Sequence, residues 1–224
     1  MPLVRPSIAY LDAVKPGILS GKYSDHDWVY EHHPVTDAPL LSRHSLVKQY
    51  SWSIPSIGAL HAIARFSKSI VEVGAGTGYW AHLLQQCGVD VLCYDEHPPS
   101  TGVNTYGHSR YYTEIHSGSC MSAEVHPERT LMLSWPPYAE TMAHDTLQAY
   151  LRAAGESLIY IGESWGGCCG NDAFFSLVNS TMELVATVDL LQWYGLHDAV
   201  FLYKRRHFTS PIDIVNVEHK LSAR

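Results

Sequence analysis

The sequence predicts an α/β fold built as a three-layer sandwich, with helices on both faces of a mostly parallel sheet. Three observations support this prediction. Short apolar segments typical of buried strands alternate with segments whose apolar residues recur at helical spacing. A glycine-rich turn, residues 74–78, joins one such strand to one such helix. An acidic pair, Asp95-Glu96, follows the next predicted strand.

Size and composition indicate one globular domain. The chain has 224 residues, 46% hydrophobic and 17% charged, enough for a sizeable core. A formal net charge of −7 argues against a general phosphate-binding surface, although a local basic patch is compatible with it. The sequence shows neither a membrane-length apolar run nor a secretory signal, so we expect a cytoplasmic protein without a membrane partner. It contains no C-x-x-C and no histidine pair at i, i+4, so we predict no metal site.

Residues 1–49 are mixed in character and interrupted by prolines, and we interpret them as an N-terminal extension. Ile8 to Leu19 predicts a short helix that ends near Pro16-Gly17. The polar stretch Asp25 to Pro39 is either a lid over a ligand or a segment packed on the core.

The segment before the first predicted strand is aromatic. Tyr50, Trp52 and Ile54 alternate and therefore share one face of an extended segment. Ser56 is the predicted N-cap of the helix that follows. The two aromatic residues are either core residues under the sheet or part of a ligand pocket.

The run from Ile70 to Trp80 predicts a strand, a glycine turn and a helix. Such a turn lets the backbone approach a ligand closely, because glycine has no Cβ. A dinucleotide fingerprint would need its third glycine at position 79, but Tyr79 stands there and Gly78 comes one residue earlier. A tight turn without any ligand is the alternative.

The form E-x-G-x-G-x-G, from Glu72 to Gly78, resembles motif I of the class I S-adenosylmethionine-dependent methyltransferases. Residues 50–205 can be aligned with that fold. The resemblance implies a seven-stranded, mostly parallel sheet with an antiparallel last strand, and S-adenosyl-L-methionine as the cofactor, its methionine part wrapped by the glycine loop. The cofactor-binding residues predicted on this basis are Glu72, Gly74, Ala75, Gly76, Gly78, Tyr79, Trp80, Asp95, Ser119, Cys120 and Ser134.

Two of these positions follow predicted strands. Val89 to Tyr94 is the predicted second strand, and an acidic side chain just after it can accept hydrogen bonds from both ribose hydroxyls. Asp95 is the first choice for this role and Glu96 the reserve. Tyr112 to Ile115 is a weak third strand, after which the family often places an acidic residue that contacts adenine. Here Ser119 or Cys120 stands in that place.

A second motif follows the fourth predicted strand, Thr130 to Leu133. Ser134-Trp-Pro-Pro-Tyr138 resembles the N/D/S-P-P-Y/F/W motif of amino-group methyltransferases, whose first residue accepts a hydrogen bond from the target amine. It departs from that motif, because the position before Pro136 is Trp135, whose side chain cannot accept a hydrogen bond. The prediction is a rigid aromatic wall. The predicted substrate-binding residues are Tyr50, Trp52, Trp135, Pro136 and Tyr138.

The C-terminal half completes the alternating pattern. The predicted elements are a helix at Met142–Ala154, strands at Ser157–Ile161, Met182–Leu191 and Ala199–Tyr203, and a helix capped by Asn171 or Asp172. Glu163 lies in a second glycine-rich stretch at the same sheet edge as the first, and His197 precedes the last strand. Candidates for a general base are, in falling order, Glu163, His197 and the Tyr138 hydroxyl.

These patterns predict methyl transfer from S-adenosylmethionine to a nitrogen or oxygen nucleophile of a small, flat acceptor, carried out by a domain at residues 50–206 followed by a tail at 207–224. Three alternatives stay open. The first is an amino-methyltransferase for a nucleobase or nucleic acid, based on Pro136-Pro137-Tyr138. The second is a non-catalytic partner protein with the same fold. The third, a nicotinamide-dependent reductase, is disfavoured by the position of Gly78.

Overall fold

The computed structural model describes residues 4–19, 43–101, 110–193 and 195–207. The stretch Asp25 to Pro39, interpreted as either a lid or a segment packed on the core, lies outside these residues, as does the tail after residue 207, so both interpretations of that stretch stay open. None of the helices in the described ranges combines the length and the apolar character needed to cross a bilayer.

Six helices and seven strands make up the described part of the chain. The helices are α1 (Ala9–Leu19), α2 (Arg43–Gln49), α3 (Ile57–Phe66), α4 (Tyr79–Gln86), α5 (Met142–Arg152) and α6 (Asp172–Thr181). The strands are β1 (Ser69–Val73), β2 (Asp90–Asp95), β3 (His116–Ser117), β4 (Thr130–Ser134), β5 (Ser157–Gly162), β6 (Met182–Asp189) and β7 (Ala199–Arg205). Two short 3₁₀ helices lie at Pro99–Thr101 and Cys120–Ala123.

The strands form one sheet in the order β3-β2-β1-β4-β5-β7-β6. Every pairing is parallel except those of β7, which runs antiparallel to both β5 and β6. This confirms the predicted seven-stranded, mostly parallel sheet with an antiparallel last strand. The order reverses at β1, between β2 and β4, and open α/β sheets bind ligands in the crevice at such a point.

The central strands are apolar because both faces of the sheet are covered. Successive residues of β1 belong to opposite core clusters, Ile70 to one and Val71 to the other. Helices α1 to α4 pack on the first side, and α5 and α6 pack on the second. The three-layer sandwich is therefore confirmed.

The predicted helix caps are confirmed at two positions. Ser56 Oγ accepts a hydrogen bond from Ala59 N at 3.1 Å, and Asn171 Oδ1 accepts one from Phe174 N at 2.9 Å. Each side chain satisfies a backbone donor that the first turn of a helix leaves unpaired.

Two boundaries differ from the prediction. Helix α1 continues past Pro16 to Leu19, because a proline inside a helix removes one backbone donor without necessarily ending it. The third strand is not at Tyr112 to Ile115, but pairs with β2 only at His116 and Ser117. Tyr112 N donates instead to Thr77 O at 2.9 Å, so this apolar segment covers the glycine turn rather than joining the sheet.

Gly155, just after α5, supports a first testable prediction. A Cβ there would lie 2.3–2.5 Å from three atoms of the Tyr150 ring. That ring is buried, and its hydroxyl donates to Arg129 O at 2.7 Å, so it is poorly able to move aside. We expect Gly155→Ala to lower the free energy of unfolding by about 2–3 kcal/mol, as overpacking does.

Urea denaturation measures this loss, and Gly88→Ala is the matched control. Gly88 has a left-handed φ of 77°, but nothing lies within 4 Å of a Cβ added there. Its substitution should cost only about 1 kcal/mol of backbone strain. Equal losses in the two variants would show that the Tyr150 ring is not a rigid neighbour.

Candidate functional site

A cavity of about 560 Å³ opens at the carboxyl ends of β1, β2 and β4, where the strand order reverses. This volume is typical of small-molecule sites. The glycine turn forms one side and the segment after β4 forms the other. The predicted site residues that line the cavity are Tyr50, Trp52, Glu72, Gly74, Ala75, Gly76, Tyr79, Trp80, Asp95, Ser119, Cys120, Ser134, Trp135, Pro136 and Tyr138.

The glycine turn needs its glycines for backbone conformation. Gly74, Gly76 and Gly78 have φ angles of 75°, 57° and 69°, in the left-handed region that glycine adopts without cost. Gly78 does not border the cavity, since a Cβ there would lie 2.8 Å from Thr113 Cγ2. Its role in the structure is close packing against the segment after residue 110.

Most amides of the turn already have partners within the protein. The N–H groups of Gly74 and Ala75 donate to Tyr94 O at 2.8 and 3.0 Å, and Gly76 N donates to Asp95 Oδ2 at 2.8 Å. The turn is thus bound to the end of β2. What it offers a ligand is close approach of the backbone, together with the two carboxylates beside it.

The first of these carboxylates, Glu72, is 1% exposed and lines the cavity. Burial raises the pKa of Glu72 to about 8, and the negative charge of Asp95 adds to this rise. The hydrogen bond from Cys93 Sγ, at 3.8 Å, lowers the pKa and opposes them. None of the described basic side chains contributes to this shift. A buried carboxylate in this setting is stabilised by a cation brought by a ligand.

The second carboxylate, Asp95, is held by backbone donors. Its Oδ2 accepts from Gly76 N at 2.8 Å and its Oδ1 from His97 N at 2.9 Å. Because a carboxylate offers about four lone-pair positions, both oxygens can accept further hydrogen bonds. Glu96, the reserve candidate, is exposed and also borders the cavity.

Aromatic side chains join the N-terminal helices to the turn. Tyr79 Oη accepts from Tyr10 N at 3.1 Å, so this side chain is anchored to α1. Tyr50 stacks on Tyr10 with ring centroids 5.1 Å apart, and its carbonyl accepts a hydrogen bond from the Thr77 hydroxyl. Trp80 is 2% exposed, and its Nε1 has no hydrogen-bond partner in the described part of the chain.

The segment after β4 forms the predicted aromatic wall. Trp135 stacks on Trp52 with ring centroids 5.1 Å apart and planes 9° from parallel. Its backbone N donates to Ile161 O at 2.7 Å, and its Nε1 donates to Asp198 Oδ1 at 2.8 Å. Tyr138, 64% exposed, lies at the cavity mouth.

Glu163, by contrast, lies behind the wall and does not line the cavity. Its Oε2 accepts from the backbone N and the thiol of Cys168 at 2.8 and 2.9 Å, and its Oε1 accepts from His197 N at 2.9 Å. Burial alone would raise the pKa of Glu163, but these hydrogen bonds together lower it. The carboxylate therefore ties the second glycine-rich stretch to the segment before β7.

The other two candidate bases are placed differently. His197 does not line the cavity, and its side chain is 80% exposed, with Nδ1 3.5 Å from Glu163 Oε1. Tyr138 is the one candidate base that borders the cavity. Cys168 also borders it, but desolvation and the hydrogen bond to Glu163 raise the pKa of this thiol to about 12, so it stays protonated at neutral pH.

Sequence reasoning missed three residues that shape the site. Thr77 fastens Tyr50 to the turn, Asp198 holds the Trp135 indole, and the Arg43 guanidinium lies 5.4 and 5.6 Å from the ring centroids of Trp52 and Trp135. Thr77 lies inside the glycine motif, so that motif could have indicated it. Asp198 lies 63 positions from Trp135 in the chain. Arg43 lies near Trp52 in the chain but far from Trp135, and no helical or strand spacing marks either contact.

The strand order, the antiparallel β7 and the glycine turn between β1 and α4 define the class I methyltransferase fold. The structure is similar to magnesium protoporphyrin IX methyltransferase (ChlM) from Synechocystis PCC 6803, with 10% identity and a TM-score of 0.46 over 89% of this chain and 98% of that one. It is also similar to the 23S rRNA methyltransferase ErmE, with 18% identity and a TM-score of 0.40 over 65% and 68% of the two chains.

A third similar structure is that of a mutant of MtNAS, with 13% identity and a TM-score of 0.44. That match covers 65% of this chain and 57% of the MtNAS chain, so the present chain spans little more than half of it. No protein-family model matches the sequence, and no curated protein matches it significantly.

Proposed function

We propose that the protein is an S-adenosyl-L-methionine-dependent methyltransferase that acts on a nitrogen or oxygen nucleophile of a small, flat acceptor. The observation that carries this proposal is Glu72, a buried carboxyl group that faces the cavity beside the glycine turn and has no basic partner among the groups that shift its pKa. Such a group favours a ligand with an ammonium next to the turn.

The residues present fit this cofactor. Glu72 would hold its amino group, and the unpaired Trp80 Nε1–H complements a carboxylate. Asp95, fixed by two backbone N–H groups, would accept the ribose hydroxyls. Ser119 and Cys120, at the far side of β2, would border the adenine.

The charges of the cavity support the same ligand. Four carboxyl groups line it, and the described lining residues include neither lysine nor arginine. When bound, the cofactor supplies a methyl group activated by a positively charged sulfur. An acidic lining stabilises that charge and favours the cofactor over its product, which carries one positive charge fewer, and this helps the product to leave. The carboxyl groups are Glu72, Asp95, Glu96 and Glu140.

The remaining task of the chain is to align the acceptor and exclude water. Trp135 and Trp52 present aromatic surface to the cavity, and Pro136 and Pro137 stiffen the backbone beside it. A flat acceptor matches this wall. A neutral amine needs no base. A hydroxyl nucleophile could pass its proton to Tyr138 at the mouth only if that phenol had first lost its own proton. Glu163 does not line the cavity, so it could act as a base only after a rearrangement of the segments that it ties together.

Isothermal titration calorimetry with S-adenosylmethionine and S-adenosylhomocysteine tests the proposal. We expect both ligands to bind one site with dissociation constants in the micromolar range. S-adenosylmethionine should bind more tightly than S-adenosylhomocysteine. No heat of binding at sub-millimolar concentration would overturn the cofactor assignment, and would favour the alternative of a non-catalytic partner protein.

Action on a nucleobase is the second candidate, because Pro136-Pro137-Tyr138 borders the cavity. The acidic lining opposes it, since phosphates would be repelled. Binding to RNA or DNA that weakens steeply with salt would favour this candidate. Transfer of a methyl label to small molecules but not to RNA, measured with the same protein, would favour the small acceptor.

A further inference from the structure

Building on the proposed function, we propose that Asp198 is a positioning residue for the acceptor end of the cavity. It fixes the Trp135 indole against Trp52, and the pair thereby selects planar acceptors. Asp198 does not line the cavity, and it acts through Trp135.

The contact is specific and half-buried. Asp198 is 1% exposed, in the segment before β7, and its Oδ1 accepts from Trp135 Nε1 at 2.8 Å across 63 positions of the chain. Burial raises the pKa of Asp198 to about 6, opposed by this hydrogen bond, so the group is mostly ionised at neutral pH. An ionised acceptor makes the stronger bond to the indole N–H.

The backbone of Trp135 makes this anchor necessary. Its φ of 50° is unusual for a bulky residue, and such a conformation persists only where the surrounding contacts hold it. Two hydrogen bonds hold it, one from its backbone N to Ile161 O and one from its indole to Asp198. The stacked Trp52 ring gives contact but no polar anchor. Without Asp198, the indole would keep the stack and lose its fixed orientation.

The surroundings indicate a cluster shaped for positioning rather than for stability. Arg43 Nε and Nη2 are buried without hydrogen-bond partners in the described part of the chain. Ser53 lies beside Asp198 and lowers its pKa. The Arg43 charge lowers the pKa of Asp198, and the same guanidinium lies over both tryptophan rings. Buried polar groups left unpaired are costly, and such costs are concentrated at functional sites.

Asp198→Asn and Asp198→Leu form a matched pair of variants for the test. Asparagine keeps an acceptor for the indole N–H, whereas leucine has a similar size and none. Two stacked indoles give an exciton couplet in far-ultraviolet circular dichroism, and Trp52→Phe identifies the part due to this pair. We expect the couplet to persist in Asp198→Asn and to fall by at least half in Asp198→Leu.

Binding of planar 1-naphthylmethylamine to protein saturated with S-adenosylhomocysteine gives the second readout. Non-planar cyclohexylmethylamine is its control, because both amines are ammonium ions at neutral pH and differ in the planarity of the ring. We expect wild type to bind 1-naphthylmethylamine at least 10-fold more tightly than cyclohexylmethylamine. Asp198→Leu should reduce this ratio about 10-fold and leave the affinity for S-adenosylhomocysteine within twofold. Wild type that shows no preference for the planar amine would overturn the proposal, as would an unchanged couplet and ratio in Asp198→Leu.

Trp135→Phe keeps the test decisive if Asp198→Leu does not fold. This variant retains an aromatic ring but is smaller and has no donor for Asp198. The ratio of the affinities for the planar and the non-planar amine should therefore fall as in Asp198→Leu. Asp198→Asn should then have no further effect in the Trp135→Phe background, and an added loss there would contradict the proposal. Lack of cofactor binding by wild type would defeat the proposed function, while the couplet comparison would still test the role of Asp198.

Discussion

Replacing Glu72 by glutamine is expected to stabilise the ligand-free protein by about 3 kcal/mol at pH 7 and to weaken cofactor binding by about 100-fold. Burial raises the pKa of Glu72 from 4.5 to about 8, so ionising this group in the folded state costs free energy. Each pKa unit between the unfolded value and the working pH is worth about 1.4 kcal/mol. The amide avoids that cost, but it provides no charge for an ammonium.

The pH dependence of the free energy of unfolding should show the same cost of ionising Glu72. Between pH 4.5 and about 8 the folded state holds a proton on Glu72 that the unfolded state has lost. The contribution of Glu72 to stability therefore declines as pH rises through this window, and it is constant above it. Urea denaturation measures the free energy of unfolding of wild type and of Glu72→Gln. The value for wild type minus that for Glu72→Gln should be lower at pH 8 than at pH 5. Cofactor affinity should rise over the same window, since the ammonium favours the ionised form.

Glu96→Gln is the control, because Glu96 borders the same cavity but is exposed. It should leave the free energy of unfolding nearly unchanged and weaken the cofactor much less than Glu72→Gln does. If Glu72→Gln were no more stable than wild type at pH 8, Glu72 would not be a strained buried carboxylate. If that variant also bound the cofactor as wild type does, the central observation behind the proposed function would be lost.

The parts of the fold that were predictable depend on short-range patterns. The strand, glycine turn and helix from Ile70 onward are set by neighbouring residues, and both helix caps lie within three residues of the amides they bind. The third strand was misplaced because the apolar residues near Tyr112 look like a strand locally, yet tertiary contacts hold them over the turn. Periodicity does not tell which surface an apolar segment covers.

The residues of the candidate site also fall into two groups, those that local patterns predict and those that only the complete fold brings together. The spacing of the motifs predicted that Glu72 and Asp95 lie close together, since the carboxyl ends of neighbouring parallel strands meet at one edge of the sheet, and both residues line the cavity. It did not indicate that Asp95 also binds the glycine turn through Gly76. Nor did it pair Asp198 with Trp135, because that contact depends on β7 lying next to β5. Contacts between distant segments follow from the complete fold and leave no local trace.

The contact of Asp95 with Gly76 underlies the second large prediction. Asp95→Ala is expected to weaken cofactor binding by about 100-fold, because it removes the acceptor for the ribose hydroxyls, and charge-assisted hydrogen bonds are worth about 1.5–3 kcal/mol each. It also leaves Gly76 N and His97 N without their acceptor. The first of these contacts is half-buried and the second is exposed, so water can replace the lost acceptor, and the free energy of unfolding should fall by only about 1 kcal/mol. Calorimetry and urea denaturation measure the two effects.

Asp95→Asn separates the two roles of this side chain. Its single carbonyl oxygen can accept from Gly76 N, but the amide nitrogen cannot accept from His97 N or from a ribose hydroxyl. We therefore expect most of the stability to return and the affinity to recover only partly, to about 10-fold below wild type. If Asp95→Asn restored affinity fully, the contribution of Asp95 would lie in holding the turn alone. If Asp95→Ala bound the cofactor as tightly as wild type, then Glu96, which is free of the turn, would be the ribose-binding residue, and Glu96→Ala would show the loss instead.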